Sequence, residues 1–281
     1  MHNINFTKLQ GTGNDFVLID AREIERDWQA LARAICHRHF GVGADGLLLL
    51  LTSERVDFRL RMFNPDGSEA EACGNGLRCF TRYLSESGLA NRPELNVETM
   101  AGIRTVWPQV EKGIRVTLGV PRLAPADIPV IIEGRDTADT TPVLDYPVTI
   151  AGRELRLSCL SMGNPHAVCY LDKPVDEFSL SEFGPMVEHH RTFPNRVNFE
   201  VVNVISRSEI RARVWERGVG ETLACGSGAC AIAVTSRLKG LVDNTVDIIL
   251  PGGTLTVEWD GTGEVLLSGP AEVVFQGEWG N

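Results

Sequence analysis

The feature that most constrains the fold of this 281-residue chain is an internal repeat. Residues 55–76 align without a gap on residues 207–228, at an offset of 152 positions, and eight of the 22 pairs are identical. About one or two identities would be expected by chance at average composition. A period this long excludes a solenoid, whose repeats span about 20–50 residues. The repeat therefore predicts two copies of one α/β unit that arose by duplication.

Both copies predict the same order of a strand, a turn and a helix. The strands alternate sides, and each helix is followed by a glycine suited to a helix end. The predicted strands are residues 56–63 and 209–215, and the predicted helices are residues 77–87 and 229–239. The second helix is apolar on every side, which is typical of a helix that is buried all round. Three prolines within residues 119–129 predict the boundary between the copies.

Charge and apolar pattern limit the classes of partner. The formal net charge is −10, which argues against a nucleic-acid binder and against a polybasic membrane-surface protein. The longest strongly apolar run, residues 47–51, is far shorter than a membrane span. No basic segment followed by an apolar stretch marks a signal peptide at the start of the sequence. We therefore expect a cytoplasmic protein with reduced thiols, with no nucleic-acid or membrane partner.

The duplicated motif Cys-Gly-x-Gly indicates the chemistry. Glycines let the backbone approach a ligand closely, and the first N–H groups of a helix form an anion site suited to a carboxylate. The same field is expected to lower the pKa of a cysteine at the helix start from about 8.5 toward neutrality. If the two helix starts face one cleft, Cys73 and Cys225 flank one substrate carbon. One thiolate would then remove a proton, and the opposite thiol would return one to the other face.

Other uses of these residues fit less well. The cysteine spacings do not match metal or thioredoxin motifs, so we expect no metal site. Pyridoxal phosphate needs a lysine for its Schiff base, and none of the four lysines lies in the duplicated motif. Lys8, near the first glycine turn, remains a candidate for that role. A cofactor-free route is favoured. The G-x-G-x-x-G sequence at residues 41–46 precedes a strand and follows a helix, the reverse of a dinucleotide site. We interpret five cysteines as core residues: Cys36, Cys79, Cys159, Cys169 and Cys230.

Seven motifs, in order along almost the whole chain, closely resemble the diaminopimelate epimerase family. They are Gly11–Phe16 (GTGNDF), Asn64–Glu69 (NPDGSE), Ala72–Gly76 (ACGNG), Gly163–His166 (GNPH), Arg196–Asn198 (RVN), Trp215–Gly218 (WERG) and Ala224–Gly228 (ACGSG). The resemblance implies a cofactor-free isomerase that interconverts LL- and meso-diaminopimelate for lysine and peptidoglycan precursor synthesis. It also implies an α/β (α+β) fold of two pseudo-symmetric domains, each a barrel-like β-sheet around a central helix, with the active site in the interdomain cleft.

The resemblance also implies domain bounds and residue roles. The first domain would comprise residues 1–118 plus 268–281 and carry Cys73, and the second would comprise residues 119–267 and carry Cys225. These two thiols are similar to the family's acid/base pair, and His166 resembles a supporting residue near them. The implied substrate-binding residues are Asn14, Asn64, Gly74, Asn75, Gly76, Asn164, Asn198, Glu216, Arg217, Gly226 and Ser227. Three of the asparagines, Asn14, Asn64 and Asn164, could instead be turn formers only, because each lies beside glycine or proline.

Two departures and two alternatives accompany the resemblance. Some members of the family have Gln where Gly46 stands, and the residue before the first thiol is often Met where this chain has Ala72. A related racemase that acts on another α-amino acid is one alternative, although Asn75 stands where proline racemases have His. A non-catalytic amino-acid binding protein is the other. We also expect a small-molecule substrate and a possible homodimer. The resemblance places Phe275 where dimers of the family have a tyrosine in their interface.

Overall fold

The computed structural model describes residues 3–71, 73–135 and 138–280. Its backbone contacts divide the chain into two compact units. One extends to Thr117 and takes in the C-terminal segment from Ser268, and the other spans Leu118–Leu267. Ala72, which the sequence repeat pairs with Ala224, lies outside the described residues.

In the described residues before Leu118 there are ten elements. They are β1 (Ile4–Gly11), β2 (Asn14–Asp20), α1 (Trp28–Ile35), β3 (Gly46–Leu51), β4 (Phe58–Phe63), β5 (Glu69–Ala70), α2 (Gly74–Glu86), β6 (Leu95–Thr99), β7 (Gly102–Val110) and β8 (Gly113–Thr117).

The rest of the chain has the same alternation of strands and helices, with 3-10 turns at Pro125–Asp127 and Val175–Glu177. Its elements are β9 (Val143–Ile150), β10 (Arg153–Ser161), β11 (Pro165–Tyr170), α3 (Leu180–Glu188), β12 (Asn198–Ser206), β13 (Glu209–Glu216), β14 (Gly220–Thr222), α4 (Gly226–Leu238), β15 (Thr245–Leu250), β16 (Gly253–Glu258), β17 (Leu266–Gly269) and β18 (Glu272–Trp279). The last strand, β18, pairs antiparallel with β1.

Each unit encloses one central helix in strands. In the first unit, α2 contacts β1, β2, β3, β4, β7, β8 and β18. In the second, α4 contacts β10, β11, β12, β15 and β16, and ten of its 13 residues are buried. The prediction of a helix buried all round is therefore confirmed, as is a mixed α/β fold with few helices. Strands enclose this helix because it is apolar on every face and therefore has no side suited to contact with water.

The sequence repeat is also a structural repeat. Strand β2 runs parallel to β3 as β11 runs parallel to β12, and β4 runs parallel to β6 as β13 runs parallel to β15. One pair of identical arginines makes the same ion pair in both copies. Arg61 Nε donates to Glu69 Oε1 at 2.7 Å, and Arg213 Nε donates to Glu221 Oε1 at 2.8 Å. Each guanidinium thereby ties the strand before the turn to the strand after it.

Element bounds differ from the predicted ones mainly at the glycines. Both central helices begin three residues earlier than the apolar runs suggested, at Gly74 and Gly226, because the glycine turn is already helical. Gly88 and Gly240 follow the helix ends with φ of 70° and 71°, as expected. Helix α1 ends at Ile35, and residues 41–45 form the turn into β3 that we inferred from their order. The five cysteines assigned to the core are all buried.

Helix α3 is held against β13 by a contact that only glycine permits. A Cβ atom at Gly184 would lie 2.4 Å from the indole of Trp215, and the indole N–H donates to Glu188 Oε2 at 2.8 Å. Trp215 directly precedes Glu216 and Arg217, two predicted substrate-binding residues. This packing therefore sets where the end of β13 lies within its unit.

Substituting Gly184→Ala should destabilise the protein. The added methyl group must displace the indole, and overpacking of this kind costs about 1–3 kcal/mol of unfolding free energy. Urea denaturation monitored by tryptophan fluorescence measures the change. Ser181→Ala, on an exposed position of the same helix, is the control and should leave the midpoint unchanged. Equal midpoints for both variants would contradict the contact.

Candidate active site

The first cysteine of the repeat lies at a helix start. Cys73 is the N-cap residue of α2, with extended backbone angles (φ −130°, ψ 126°), and its carbonyl accepts the Leu77 N–H at 2.8 Å. Cys73 is partly exposed, whereas Gly74, Asn75 and Gly76 behind it are buried. A partly exposed thiol at a positive helix end can meet a ligand that the helix N–H groups also hold.

Asn14 contacts two other predicted site residues in the first unit. Its Oδ1 accepts from Cys73 Sγ at 3.7 Å and from Asn75 Nδ2 at 3.3 Å. Its Nδ2 donates to Asp45 Oδ2 at 2.7 Å, which fixes the orientation of the amide. Asn14 is thus more than a turn former, because its side chain contacts the thiol side of the helix start.

Behind Asn14 lies a charged cluster that the sequence reasoning missed. Arg38 Nη2 donates to Asp15 at 2.8 Å and to Asp45 at 2.6 Å, and the buried Lys8 ammonium contacts Asp15 and the Gly43 carbonyl. Burial alone would raise the pKa of Asp15, but the hydrogen bonds from Arg38 and Lys8 outweigh it and hold that pKa at about 2. The spacing Asp15…Arg38…Asp45 carries no local pattern, since the three residues meet only through parallel pairing of β2 and β3.

A buried arginine braces the turn that precedes Asn14. Arg78 on α2 is fully buried; its Nη2 donates to Thr12 Oγ1 at 3.2 Å and its Nε to the Pro270 carbonyl at 3.3 Å. Thr12 has a φ of 53°, a left-handed conformation that is uncommon for threonine. The guanidinium therefore helps hold a strained turn beside the site.

The second cysteine of the repeat also caps its helix, but in a drier place. Cys225 is the buried N-cap residue of α4, and its Sγ accepts the Gly228 N–H at 3.4 Å. Ser227 Oγ lies 3.5 Å from the same sulfur. The thiol itself thus occupies the capping position usually filled by a serine or aspartate oxygen.

The expected lowering of the thiol pKa is wrong for Cys225. Burial raises its pKa well above the usual value, and the charge of Glu216 raises it further. The hydrogen bonds from Ser227 and Gly228 act in the opposite direction but are outweighed. The helix N–H groups favour the thiolate, but desolvation, which the sequence does not reveal, disfavours it and is the larger effect.

His166 forms a buried chain of hydrogen bonds in the second unit. Its Nδ1 lies 2.7 Å from Glu200 Oε1, and its Nε2 lies 3.0 Å from Asn164 Oδ1. His166 and Glu200 are both fully buried, while Asn164 is half-buried. The structure therefore joins two predicted residues, His166 and Asn164, through a third that the sequence did not single out.

The ends of β12 and β13 bring together three more predicted residues. Asn198 is buried; its Nδ2 donates to the Pro165 carbonyl at 3.0 Å, and its Oδ1 accepts the Arg217 N–H at 2.8 Å. The Arg217 side chain is exposed and donates to the Asn195 carbonyl at 2.9 Å. Thr222 Oγ1 donates to Glu216 Oε1 at 2.6 Å. An exposed guanidinium beside a fixed carboxylate is suited to a zwitterionic ligand.

Asn64 has the contacts of a turn former. Its Nδ2 donates to Ser68 Oγ at 2.9 Å, its N–H to the Ser68 carbonyl at 2.8 Å, and its own carbonyl accepts from Gly67. The turn is the one predicted for residues 64–68. A substrate contact for Asn64 stays a prediction.

Among the residues that the structure describes, no group of three or more His, Cys, Asp or Glu side chains is arranged to hold a metal ion. Within the same part of the chain, no helix is both long and apolar enough to cross a bilayer.

The pKa of Cys225 can be measured through its reactivity. Alkylation requires the thiolate, so the rate at Cys225 should keep rising with pH beyond 9, whatever its access. Glu216→Gln removes a negative charge and should move the curve to lower pH. Peptide mass spectrometry after timed iodoacetamide exposure separates Cys225 from the other thiols. Glu221→Gln, whose carboxylate pairs with Arg213, is the control and should leave the curve in place; half-ionisation at or below pH 7 would refute the assignment.

Comparison with known sequences places the chain in a family. The sequence model of the diaminopimelate epimerase family matches residues 6–124 and 158–274. A diaminopimelate epimerase of Moorella thermoacetica is 47% identical, with 98% of this chain and 99% of the relative covered. The diaminopimelate epimerase of Acetivibrio thermocellus is 45% identical, with 98% of each chain covered, and that of Methanococcus maripaludis is 42% identical, with 98% and 99% covered.

Solved structures share the fold at low sequence identity. A PhzF-family phenazine biosynthesis protein of Bacillus anthracis has a TM-score of 0.71 at 19% identity, with 99% of both chains covered. A hydroxyproline epimerase of Agrobacterium vitis has a TM-score of 0.69 at 17% identity, with 99% of this chain and 91% of the other covered. The two-unit fold, the duplicated helix starts and the full-length similarity agree: the chain belongs to the diaminopimelate epimerase family.

Proposed function

We propose that this protein interconverts LL- and meso-diaminopimelate without a cofactor, and that Cys73 and Cys225 are its acid/base pair. The observation that carries the proposal is the duplicated Cys-Gly-x-Gly helix start, one in each unit. The full-length similarity to proteins named diaminopimelate epimerase supports the choice of substrate. A protein that only binds a carboxylate would need the helix N–H groups but no thiol beside them.

The reaction needs one thiolate and one thiol. The thiolate takes the proton from the substrate Cα, so that an S–H bond forms and the C–H electron pair passes into the adjacent carboxylate. The opposite thiol then gives its proton to the other face of the same carbon and becomes the thiolate. No oxidant or reductant is consumed. The mechanism requires the two thiols to reach opposite faces of one carbon.

The raised pKa of Cys225 fits the role of the proton donor. A thiol with a pKa well above its usual value is protonated at neutral pH, so Cys225 would hold the proton that inversion delivers. Cys73 is partly exposed and, as the thiolate, would take the substrate proton whenever Cys225 is the donor. In the reverse direction the roles exchange.

The helix starts would stabilise the charge that develops. The N–H groups of Gly74, Asn75 and Gly76 at one end, and of Gly226 and Ser227 at the other, are candidates to bind the reacting carboxylate. N–H groups fixed before the reaction stabilise a charge that grows on the carboxylate without any cost of reorganisation. This is how a weakly acidic Cα proton becomes removable without pyridoxal phosphate.

The remaining residues would hold the far end of the substrate. Diaminopimelate carries a second ammonium and a second carboxylate, for which Glu216 and Arg217 are chemically matched. The half-buried or buried asparagines can donate and accept around them. These asparagines are Asn14, Asn64, Asn164 and Asn198.

We further propose a cytoplasmic enzyme of lysine and peptidoglycan precursor synthesis that acts as a homodimer. Val274 and Phe275 on β18 are about half exposed, and Phe275 packs edge-on against Phe6 with ring centroids 5.9 Å apart. An exposed apolar pair on a strand at this place is consistent with an interface between two copies.

Proton exchange tests the reaction class directly. The purified, reduced protein, without added cofactor, should introduce deuterium from D2O at Cα of LL-diaminopimelate, because each turnover returns a solvent-derived proton. Mass spectrometry and proton NMR of the recovered amino acid measure the incorporation. A curated relative with activity serves as the positive control.

Two outcomes would redirect the proposal. Absence of exchange under conditions where the control exchanges would favour an amino-acid binding protein. Exchange into proline and not into diaminopimelate would place the protein with the racemases of the same fold.

Replacing either thiol should abolish turnover. Cys73→Ala and Cys225→Ala each remove one of the two proton carriers, so kcat should fall by at least about 10³-fold while the circular dichroism spectrum is kept. Cys36→Ala is the matched control, because Cys36 is a buried cysteine outside the repeat whose pKa burial raises to about 12. Near-normal epimerisation by either single variant would exclude the two-base mechanism.

A further inference from the structure

The buried carboxyl group of Glu200 has no contact with the substrate in the mechanism above, although its charge adds to the raised pKa of Cys225. Glu200 lies on β12, is fully buried, and holds His166 Nδ1 at 2.7 Å. Its Oε1 would lie 3.0 Å from a Cβ at Gly228, in the first turn of α4, where the Cys225 Sγ would be 3.4 Å from the same point. A carboxyl group in such a place loses its hydration, which costs free energy that its hydrogen bonds must offset.

The other copy of the repeat shows that the fold does not require this pair. The register of β2 with β3 and of β11 with β12 makes Phe16 the counterpart of His166 and Leu48 the counterpart of Glu200. At the counterpart of Gly228, a Cβ on Gly76 would meet Leu48 Cδ2 at 3.3 Å and Phe16 Cζ at 3.6 Å. The same location is thus filled by an apolar pair in one unit and by a polar pair in the other. Replacing a buried ionic pair by apolar residues is often neutral or stabilising, so stability alone does not account for the polar pair.

The partners of the imidazole determine which nitrogen carries a proton. Asn164 Oδ1, 3.0 Å from Nε2, can only accept, so Nε2 donates. The second proton lies between Nδ1 and Glu200 Oε1, either on the ring, facing a carboxylate, or on a carboxylic acid that donates to the ring. Burial raises the pKa of Glu200, and the neighbouring His166 lowers it. Whether that proton is on the ring or on the carboxyl group, Asn164 Oδ1 faces the protonated Nε2 of His166.

The consequence is a fixed direction for the Asn164 amide. With its oxygen committed to Nε2, its NH2 group points away from the ring. The hydrogen bonds that Asn164 forms in the described part of the second unit use its Oδ1 and its backbone carbonyl, which accepts the Met162 N–H at 3.1 Å. Asn164 is half-buried, so the NH2 group can still reach a ligand.

We propose that Glu200 is a positioning residue: by holding His166 at Nδ1 it makes Nε2 the donor to Asn164, and so directs the Asn164 NH2 group at an oxygen of the bound amino acid. The nature of that ligand rests on the function proposed above. The hydrogen-bond chain from Glu200 to Asn164 does not, because all of it lies in one unit of the unliganded protein.

The first test is spectroscopic and needs no activity. In the full-length, reduced protein labelled with 15N-histidine, the His166 signals are assigned by their loss in His166→Phe. We expect a protonated Nε2 at neutral pH in the wild type and in Glu200→Gln, whose amide can still donate to Nδ1. In Glu200→Leu, which copies Leu48, Nδ1 loses its partner and the imidazole shifts should move toward a mixture of tautomers. Unchanged shifts in Glu200→Leu, or an unprotonated Nε2 in the wild type, would overturn the proposal.

The second test is kinetic and uses the same variants. Glu200→Leu should raise KM for LL-diaminopimelate about tenfold with a smaller change in kcat, because a binding donor is misdirected while both thiols remain. Glu200→Gln should restore KM to within about threefold of the wild type. If Glu200→Leu does not fold, the double variant His166→Phe/Glu200→Leu, which copies Phe16 and Leu48, takes its place. A folded leucine or double variant with wild-type KM would refute the role of Glu200.

The two tests separate this inference from the proposed function. A wild-type protein that does not turn over diaminopimelate would remove the proposed function, and the imidazole signals would still decide whether Glu200 sets the protonation of His166. An active wild type with unchanged imidazole signals in Glu200→Leu would remove only the inference.

Discussion

Burial of the central helix is the constraint on which the rest of each unit depends. Helix α4 is apolar on every face, so strands must cover all of it, and only its ends can meet a ligand. The Cys-Gly-x-Gly turn lies at the N-terminal end, where the helix N–H groups have no intrahelical partners. The burial that forms the core of the unit thus also places a thiol and an anion site together at the N-terminal end of the helix. It also desolvates Cys225, which is why its pKa rises.

The two copies separate what the fold needs from what the site adds. Both keep the ion pair between adjacent strands, Arg61 with Glu69 and Arg213 with Glu221, and both keep a glycine where the helix meets the neighbouring strand. These shared features belong to the architecture. The copies differ beside that glycine, with an apolar pair in the first unit and His166 with Glu200 in the second.

Sequence alone predicted the parts that depend on local pattern. The repeat, the buried helices and the turn at residues 64–68 follow from periodicity and from glycine positions, and the family motifs carried Asn14, His166 and Asn198. Glu200 and the cluster of Asp15, Arg38 and Asp45 were missed, because parallel strand pairing brings His166 to Glu200 and Asp15 to Asp45 from distant segments. Arg78 was missed because nothing in the spacing of an amphipathic helix marks an arginine as fully buried. The pKa of Cys225 depends on desolvation, which only packing reveals.

Divergence between the copies has a chemical reason if the two thiols act as an acid/base pair. Inversion requires one thiol protonated and the other ionised at the same moment, and two identical halves would not determine which thiol holds the proton. The groups that raise the pKa of Cys225 include Glu216 and Glu200. At the offset of 152 their counterparts in the first unit are Asn64 and Leu48, which carry no charge. The duplication supplied two equivalent helix starts, and full burial together with two nearby carboxylates raises the pKa of the thiol in the second one.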